Sequence, residues 1–279
     1  MAAGREAVTP LSVEEIYGEP EVAEELVEAA LDRSLAPRSA DMLFDIVGRL
    51  GLGPRHRLLD VGSRDGRHLL QLAARFGCQA VGVELVRANI DRGRTRVASS
   101  VAHRGLRIGV ARGSVEALPF RAGSFDFVWI RDVLTHIADL RRALEECRRV
   151  LARDGRAVLF SMFATPWLEP GDATRLWPPL AAVPRNADPA FFEEQIAAAG
   201  FRVVERDEVT SEWREHLEET GERRTSKQLL HAARLLRGRD RYLSEIGRRA
   251  YELELGNCLW GVYQMIGKLS GRVYVLSQS

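Results

Sequence analysis

Residues 113–137 read GSVEALPFRAGSFDFVWIRDVLTHI. Inside them Phe125 to Ile130 (FDFVWI) is a short apolar run, the length of a buried strand and too brief for a helix. From about Asp132 the spacing predicts a helix. The same alternation continues outward on both sides. Upstream, residues 57–61 (RLLDV), 80–85 (AVGVEL) and 106–110 read as strands, with helices over 68–76 and 88–100. Downstream, 140–151 reads as a helix and 156–160 as a fifth strand. Short apolar strands alternating with helices pair in parallel through crossovers, and the helices cover both faces of the sheet.

Outside this rhythm the chain changes character. Residues 165–189 are rich in proline, include Trp167 and Trp177, and show no clear periodicity, as in a lid or binding loop. A helix over 188–199 is stopped by Gly200, and 201–206 reads as a sixth strand. Residues 208–258 are mostly charged and helical, and 271–276 (GRVYVL) form a last strand. Helices are also expected over 13–31 and 40–50. The division that follows is an N-terminal helical lid (1–37), a core (38–207), an inserted helical cap (208–270) and a returning core strand (271–279).

Bulk properties narrow the function classes. The 279 residues carry a formal net charge of +1, with 46% hydrophobic and 28% charged residues. A nucleic-acid binder would show a basic excess, so that class is disfavoured. Cys78, Cys147 and Cys258 fit no metal-ligand spacing and read as buried free thiols of a reducing, cytoplasmic compartment. No metal site is expected. The N-terminal residues do not read as a signal peptide, and no apolar run is long enough to span a membrane.

The first strand runs into Asp60-Val61-Gly62-Ser63-Arg64-Asp65-Gly66. Glycine in such a turn admits a ligand close to backbone N–H groups, and the following helix points its N-terminus at the same place. Glu84 ends the second strand, where a carboxylate can accept both hydroxyls of a ribose. This pair suits an adenosine cofactor, NAD or S-adenosylmethionine (SAM) alike. It also suits a turn that only closes a βα unit.

The choice comes from residues 113–137. Gly113, Leu118-Pro119-Phe120, Ser124-Phe125-Asp126 and Val128, then Leu134 and His136, resemble the class I SAM-dependent methyltransferase superfamily, in particular its UbiE-like small-molecule branch. Arg149-Val150-Leu151-Ala152-Arg153-Asp154-Gly155 is similar to the same family's turn before its fifth strand. The resemblance implies a Rossmann-like sheet of seven strands, mostly parallel with the last antiparallel. It implies SAM as methyl donor and S-adenosylhomocysteine as product. By resemblance Asp60, Gly62, Ser63, Arg64 and Gly66 line the methionine end, Glu84 holds the ribose and Leu85 packs on adenine. Ser114, Val115 and Glu116 meet the adenine edge, and Arg131 contacts the methionine moiety through its backbone. Two residues depart from the pattern: Arg64 replaces a glycine, and Ser114 replaces an aspartate.

Methyl transfer from a sulfonium is an in-line displacement that needs alignment and exclusion of water. A hydroxyl or ammonium acceptor must also lose a proton. His136 is the candidate base, with Asp132 one helical turn earlier to orient its ring; packing or cofactor positioning is the plainer role. Tyr17, Trp167, Trp213, Tyr242 and Trp260 are candidate walls of an acceptor pocket, or simply core. The six arginines of residues 234–249 could clamp an acidic or diphosphate acceptor, or form a solvated face.

The leading expectation is transfer of a methyl group to O, N or C of a small organic acceptor, natural-product or prenyl-like, with no nucleic-acid or membrane partner and a homodimer possible. A SAM-binding protein without transfer activity is the alternative, motivated by Arg64 and Ser114. A nicotinamide oxidoreductase would leave residues 113–137 unexplained.

Overall fold

Strand β1 (Arg57–Val61) is buried at every position after its first, which suits a strand covered on both faces. In the computed structural model, which describes residues 10–18, 24–32 and 37–279, it lies inside a seven-stranded sheet. The other strands are β2 (Gln79–Glu84), β3 (Ile108–Arg112), β4 (Phe125–Arg131), β5 (Leu151–Ala164), β6 (Phe201–Val209) and β7 (Leu269–Gln278). Their order across the sheet is β3-β2-β1-β4-β5-β7-β6. The first five pair in parallel, and β7 runs antiparallel to both β5 and β6. The expected sheet, with its reversed last strand, is the observed one.

Helices α1 (Val13–Tyr17), α2 (Glu24–Leu31), α3 (Met42–Arg49), α4 (Arg67–Phe76) and α5 (Arg87–Arg104) precede β3. Helices α6 (Leu140–Val150), α7 (Pro170–Leu176) and α8 (Pro189–Ala198) surround β5. Helices α9 (Glu212–Glu219), α10 (Arg224–Arg237), α11 (Arg239–Ile246) and α12 (Arg248–Met265) fill the connection from β6 to β7.

Alternation along the strands divides the core. Leu58, Phe127, Trp129, Val158 and Phe160 share one apolar cluster with Leu43 and Phe44 of α3, Leu69 and Leu72 of α4, and Leu259 and Tyr263 of α12. Leu59, Val61, Val128, Ile130 and Leu159 share the other with Leu144 of α6 and Phe192 of α8. Each large side chain buried this way contributes about 1.5–3 kcal/mol. Asp60 and Arg131 continue the alternation on the α3–α4 side, at the carboxyl edge where open α/β sheets bind ligands.

Three expectations change. No helix starts at Asp132; that residue is left-handed (φ 57°), and only a 3-10 turn, Leu134–His136, follows. Residues 165–189 are not structureless: α7 and two 3-10 turns, Pro178–Leu180 and Pro184–Ala187, occupy them. Their prolines start helical turns, since a first-turn residue has no N–H to lose. Strands β5 and β7 outrun their expected bounds because they pair with each other over eight residues, Ala157–Ala164 against Leu276–Leu269. Of the expected lid, 1–9, 19–23 and 33–36 lie outside the described residues, and α1 buries none of its side chains.

Candidate active site

The loop from β1 to α4 is built from left-handed residues. Gly62 has φ 70°, and a Cβ there would lie 2.4 Å from Val133 Cγ2; Gly66 has φ 74°. Arg64 takes the same conformation at φ 50°, which costs a non-glycine residue about 1–3 kcal/mol. Its side chain is exposed, so the arginine in the glycine position turns outward. Its N–H donates to Glu84 Oε2 at 3.0 Å, and the Val86 N–H donates to Oε1 at 2.8 Å. Glu84 is buried. Each oxygen takes one backbone donor, and a carboxylate has about four acceptor sites, so capacity for a ribose diol is left. Gly62 and Ser63 donate their N–H groups to the Val83 carbonyl. Ser63 sits over Gly82, where a Cβ would stand 2.5 Å from its Oγ. Sequence reading missed Gly82; a glycine inside an otherwise apolar strand was the available signal.

Asp60 is buried at the end of β1, and its Oδ2 has no partner among the described residues. Burial pushes its carboxyl up to about 8, with the nearby Glu84 charge adding to the rise and Arg131 opposing it. A buried acid with a free oxygen fits a cationic ligand group such as an ammonium. Leu85 is exposed at the same edge, as a platform for a flat ring would be, and Val115 is buried. Ser114 Oγ accepts from the Glu116 N–H at 3.2 Å, and Glu116 Oε1 accepts from the Asp139 N–H at 3.0 Å. Glu116 therefore ties the β3–β4 connection to the start of α6. The Leu118-Pro119-Phe120 segment is clamped too. Glu146 accepts from the Leu118 N–H at 2.8 Å and pairs with Arg149 at 2.7 Å, while Arg149 donates to the Phe120 and Leu118 carbonyls.

At the tip of β4 the Arg131 side chain lies against α4 and α9. Its Nη1 is 2.7 Å from His68 Nε2, and its guanidinium lies 5.6 Å from the Trp213 ring centroid. Burial, aided by the arginine's charge, lowers His68 to about 4, so the neutral ring accepts from Arg131. Sequence reading assigned Arg131 a backbone role only and did not single out His68, because their meeting depends on how α4 and α9 fold onto the sheet.

Asp132 and His136 do not form the expected pair. Without a helix the i,i+4 contact is lost: His136 is exposed, and its Nδ1 lies 3.3 Å from the Ala181 carbonyl. Asp132 Oδ1 is buried without a hydrogen-bond partner among the described residues. Burial raises the Asp132 carboxyl, opposed first by the charge of His136 and then by Arg131 and Arg214. Asn186, also buried and missed by sequence reading, holds the turn: its Nδ2 donates to the Leu134 and Ile137 carbonyls at 2.8 and 2.7 Å.

The aromatic candidates separate. Trp213 is buried against Phe160, with ring centroids 4.4 Å apart, beside Arg131. Trp260 packs edge-on against Trp177 at 6.1 Å, as core. Tyr242 stacks with Arg241 of its own helix. Trp167 and Tyr17 are exposed, at 63% and 82%, and line no enclosed wall in this conformation.

The cysteines are free and buried. Sequence spacing hides one grouping: His231, Glu254 and Cys258 bring ligand atoms within 4.8 Å of one another. Cys258 donates to Glu254 at 3.8 Å, and burial pushes the thiol up to about 11; a protonated thiol on a carboxylate accounts for the contact without an ion. No described helix is long and apolar enough to cross a membrane.

Comparison with known proteins agrees with this geometry. A family model described as a methyltransferase domain matches residues 59–159. The chain is 28% identical over 180 residues to a glycine/sarcosine/dimethylglycine N-methyltransferase of Actinopolyspora halophila, covering 63% of this chain and 31% of that one. It is 35% identical over 114 residues to the ubiquinone/menaquinone biosynthesis C-methyltransferase UbiE of Geotalea uraniireducens, covering 40% and 47%. The chain thus spans less than half the length of these two relatives. Among solved structures, a putative sarcosine dimethylglycine methyltransferase from Galdieria sulphuraria shares the fold, with a TM-score of 0.65 at 16% identity over 86% of this chain and 84% of that one. Residues 59–159 thus match a methyltransferase domain, and the 3-2-1-4-5-7-6 sheet, with a glycine loop facing an acidic β2 terminus, is the fold of the methyltransferase structures that this chain resembles.

Proposed function

We propose that this protein transfers a methyl group from SAM to an O, N or C atom of a small organic acceptor. The observation that carries the reading is Glu84. Its buried carboxylate sits at the tip of β2, anchored by the Arg64 and Val86 N–H groups, with acceptor capacity to spare beside a left-handed glycine loop. SAM bound there supplies an electrophilic methyl on a sulfonium. Glu84 would hold the ribose hydroxyls, Asp60 with its free Oδ2 would face the methionine ammonium, and Leu85, Ser114 and Val115 would frame the adenine. Because the displacement is in-line, the chain's main tasks are alignment and exclusion of water. His136 or Asp132 would take the acceptor's proton where one must leave.

The relatives include N-, O- and C-methyltransferases, one of them named for glycine and its methylated derivatives. They do not favour a SAM-binding protein without transfer activity. The inserted α9–α12 suit an enclosed small molecule, which we place between this cap and the carboxyl edge. A reducing, cytoplasmic compartment suits the three free cysteines. A homodimer is part of the proposal, and sedimentation velocity tests it.

The test is titration of SAM into the protein and into Glu84→Ala. At least a tenfold loss of affinity is expected, about 1.4 kcal/mol. Unchanged affinity refutes the ribose assignment. Release of S-adenosylhomocysteine across a panel of small amines, phenols and carboxylic acids then separates transfer from binding alone.

A further inference from the structure

Under the cap, two arginines flank Trp213, Arg131 through space and Arg214 in sequence, and a third opens the next helix. Arg131 ends β4, Arg214 lies on α9 beside Trp213, and Arg224 opens α10. None makes an ion pair within 4 Å with a described acid, whereas Arg38, Arg149 and Arg272 do. They are held in place by neutral groups instead. Arg131 donates to the neutral ring of His68. Arg214 Nε donates to Gln264 Oε1 at 2.8 Å, and its Nη1 donates to Gln228 Oε1 at 3.1 Å. Amide oxygens orient a guanidinium without cancelling its charge.

The acids that act on this group, Asp132, Asp60, Asp41 and Glu218, form no ion pair with it. Burial pushes Asp60 up to about 8, against the pull of Arg131. Asp132 is raised by burial and makes no ion pair. Glu218 is spent on the start of α10, accepting from the Thr225 and Ser226 N–H groups and the Ser226 hydroxyl. The positive charge is costly. Burial lowers Arg214 to about 10 and also lowers Arg131, and Arg224 adds repulsion to both. Half-buried charges oriented by neutral acceptors and left without an ion pair are only partly compensated, and an anion entering beside them recovers part of that cost. A guanidinium fork matches a carboxylate or phosphate in two parallel hydrogen bonds.

Building on the methyltransferase reading, we propose that the methyl acceptor is an anion whose carboxylate or phosphate oxygens are held by Arg214 and Arg131 beneath Trp213, with Arg224 at the rim. Asp132 and His136, on the turn that follows Arg131, then lie on the side from which the acceptor's proton would be taken. The six arginines of residues 234–249 are not needed for this clamp. Arg241 pairs with Glu245 and Arg248 with Glu252 on an exposed face, the plainer of the two readings offered by the sequence.

The same chemistry has a second source, the carboxylate of SAM itself, so the test fills that site first. With S-adenosylhomocysteine at saturation, inorganic phosphate, diphosphate and benzoate are titrated by calorimetry into the wild type and into Arg214→Gln and Arg224→Gln. Gln at 214 can keep a hydrogen bond to its amide neighbours, and Arg224 is exposed, so both variants retain their packing. Saturable binding of at least one anion is expected, weakened at least tenfold by Arg214→Gln and threefold or more by Arg224→Gln. S-adenosylhomocysteine affinity should stay within twofold and also reports that each variant is folded. No saturable anion binding, or equal binding in wild type and variants, overturns the proposal. If Arg214→Gln instead loses S-adenosylhomocysteine, the arginines serve the cofactor; the proposal fails and the methyltransferase reading stands. If the wild type binds no S-adenosylhomocysteine, the reading beneath fails, and the proposal with it.

Discussion

Asp60 shows how a single residue trades stability for a ligand. Its carboxyl rises from an ordinary 3.8 to about 8 because it is buried with an unmatched oxygen. Between those values the folded chain binds more protons at Asp60 than the unfolded chain, so stability falls as pH rises through that window. Asp60→Asn removes the titration. Its melting temperature should exceed that of the wild type by a margin that widens from pH 4 to pH 8, while SAM affinity falls. A margin independent of pH contradicts the assignment. His136 is a different case, since it is exposed and its ring contacts the Ala181 carbonyl at 3.3 Å. If it serves as the base, His136→Ala should lower turnover by ~10²-fold or more and leave SAM affinity within about twofold. Equal losses in steady-state turnover and calorimetric affinity would make it a positioning residue.

Among the elements, the turn after β4 carries the most consequence for its size. Asp132 is left-handed, the next residues wind into a 3-10 turn, and Asn186 and the Val183 N–H tie that turn to the 165–189 segment. Asn186→Ala would leave the part-buried Ile137 carbonyl without its side-chain donor and the Leu134 carbonyl with only the Ile137 N–H at 3.3 Å, at a cost of about 2 kcal/mol. Urea denaturation should show that loss, and turnover should fall with it because Asp132 and His136 flank the turn. Full stability in the variant would show that the tie is dispensable. This turn also marks where sequence legibility stops. Strands β1, β2 and β4 could be read because their apolar runs are continuous and their bounds fall at glycine and charged residues. The stretch after Asp132 has helical spacing but lacks the length to propagate a helix, and a tertiary contact to Asn186, some fifty residues on, decides its shape. Residues 165–189 looked unstructured because proline hides helical periodicity, although proline begins four of the helical segments there.

At the scale of the molecule, the seven-stranded sheet with its reversed last strand and the glycine loop with its acidic partner followed from local pattern and family resemblance. The surroundings of the acceptor did not, because they depend on how α9–α12 fold back between β6 and β7. Arg131, His68 and Trp213 lie on three separate elements, and nothing in their spacing announces that they meet. The aromatic candidates fared unevenly for the same reason: Trp213 lands beside Arg131, whereas Trp260 is absorbed into packing with Trp177. The central claim is where the nucleoside sits, and a crystal structure with S-adenosylhomocysteine tests it most directly. The expected result is both ribose hydroxyls within hydrogen-bonding distance of the Glu84 carboxylate, with the amino-acid end between Gly62 and Asp60. A nucleoside bound anywhere else, or a Glu84 carboxylate that still contacts only the Arg64 and Val86 N–H groups, would contradict it.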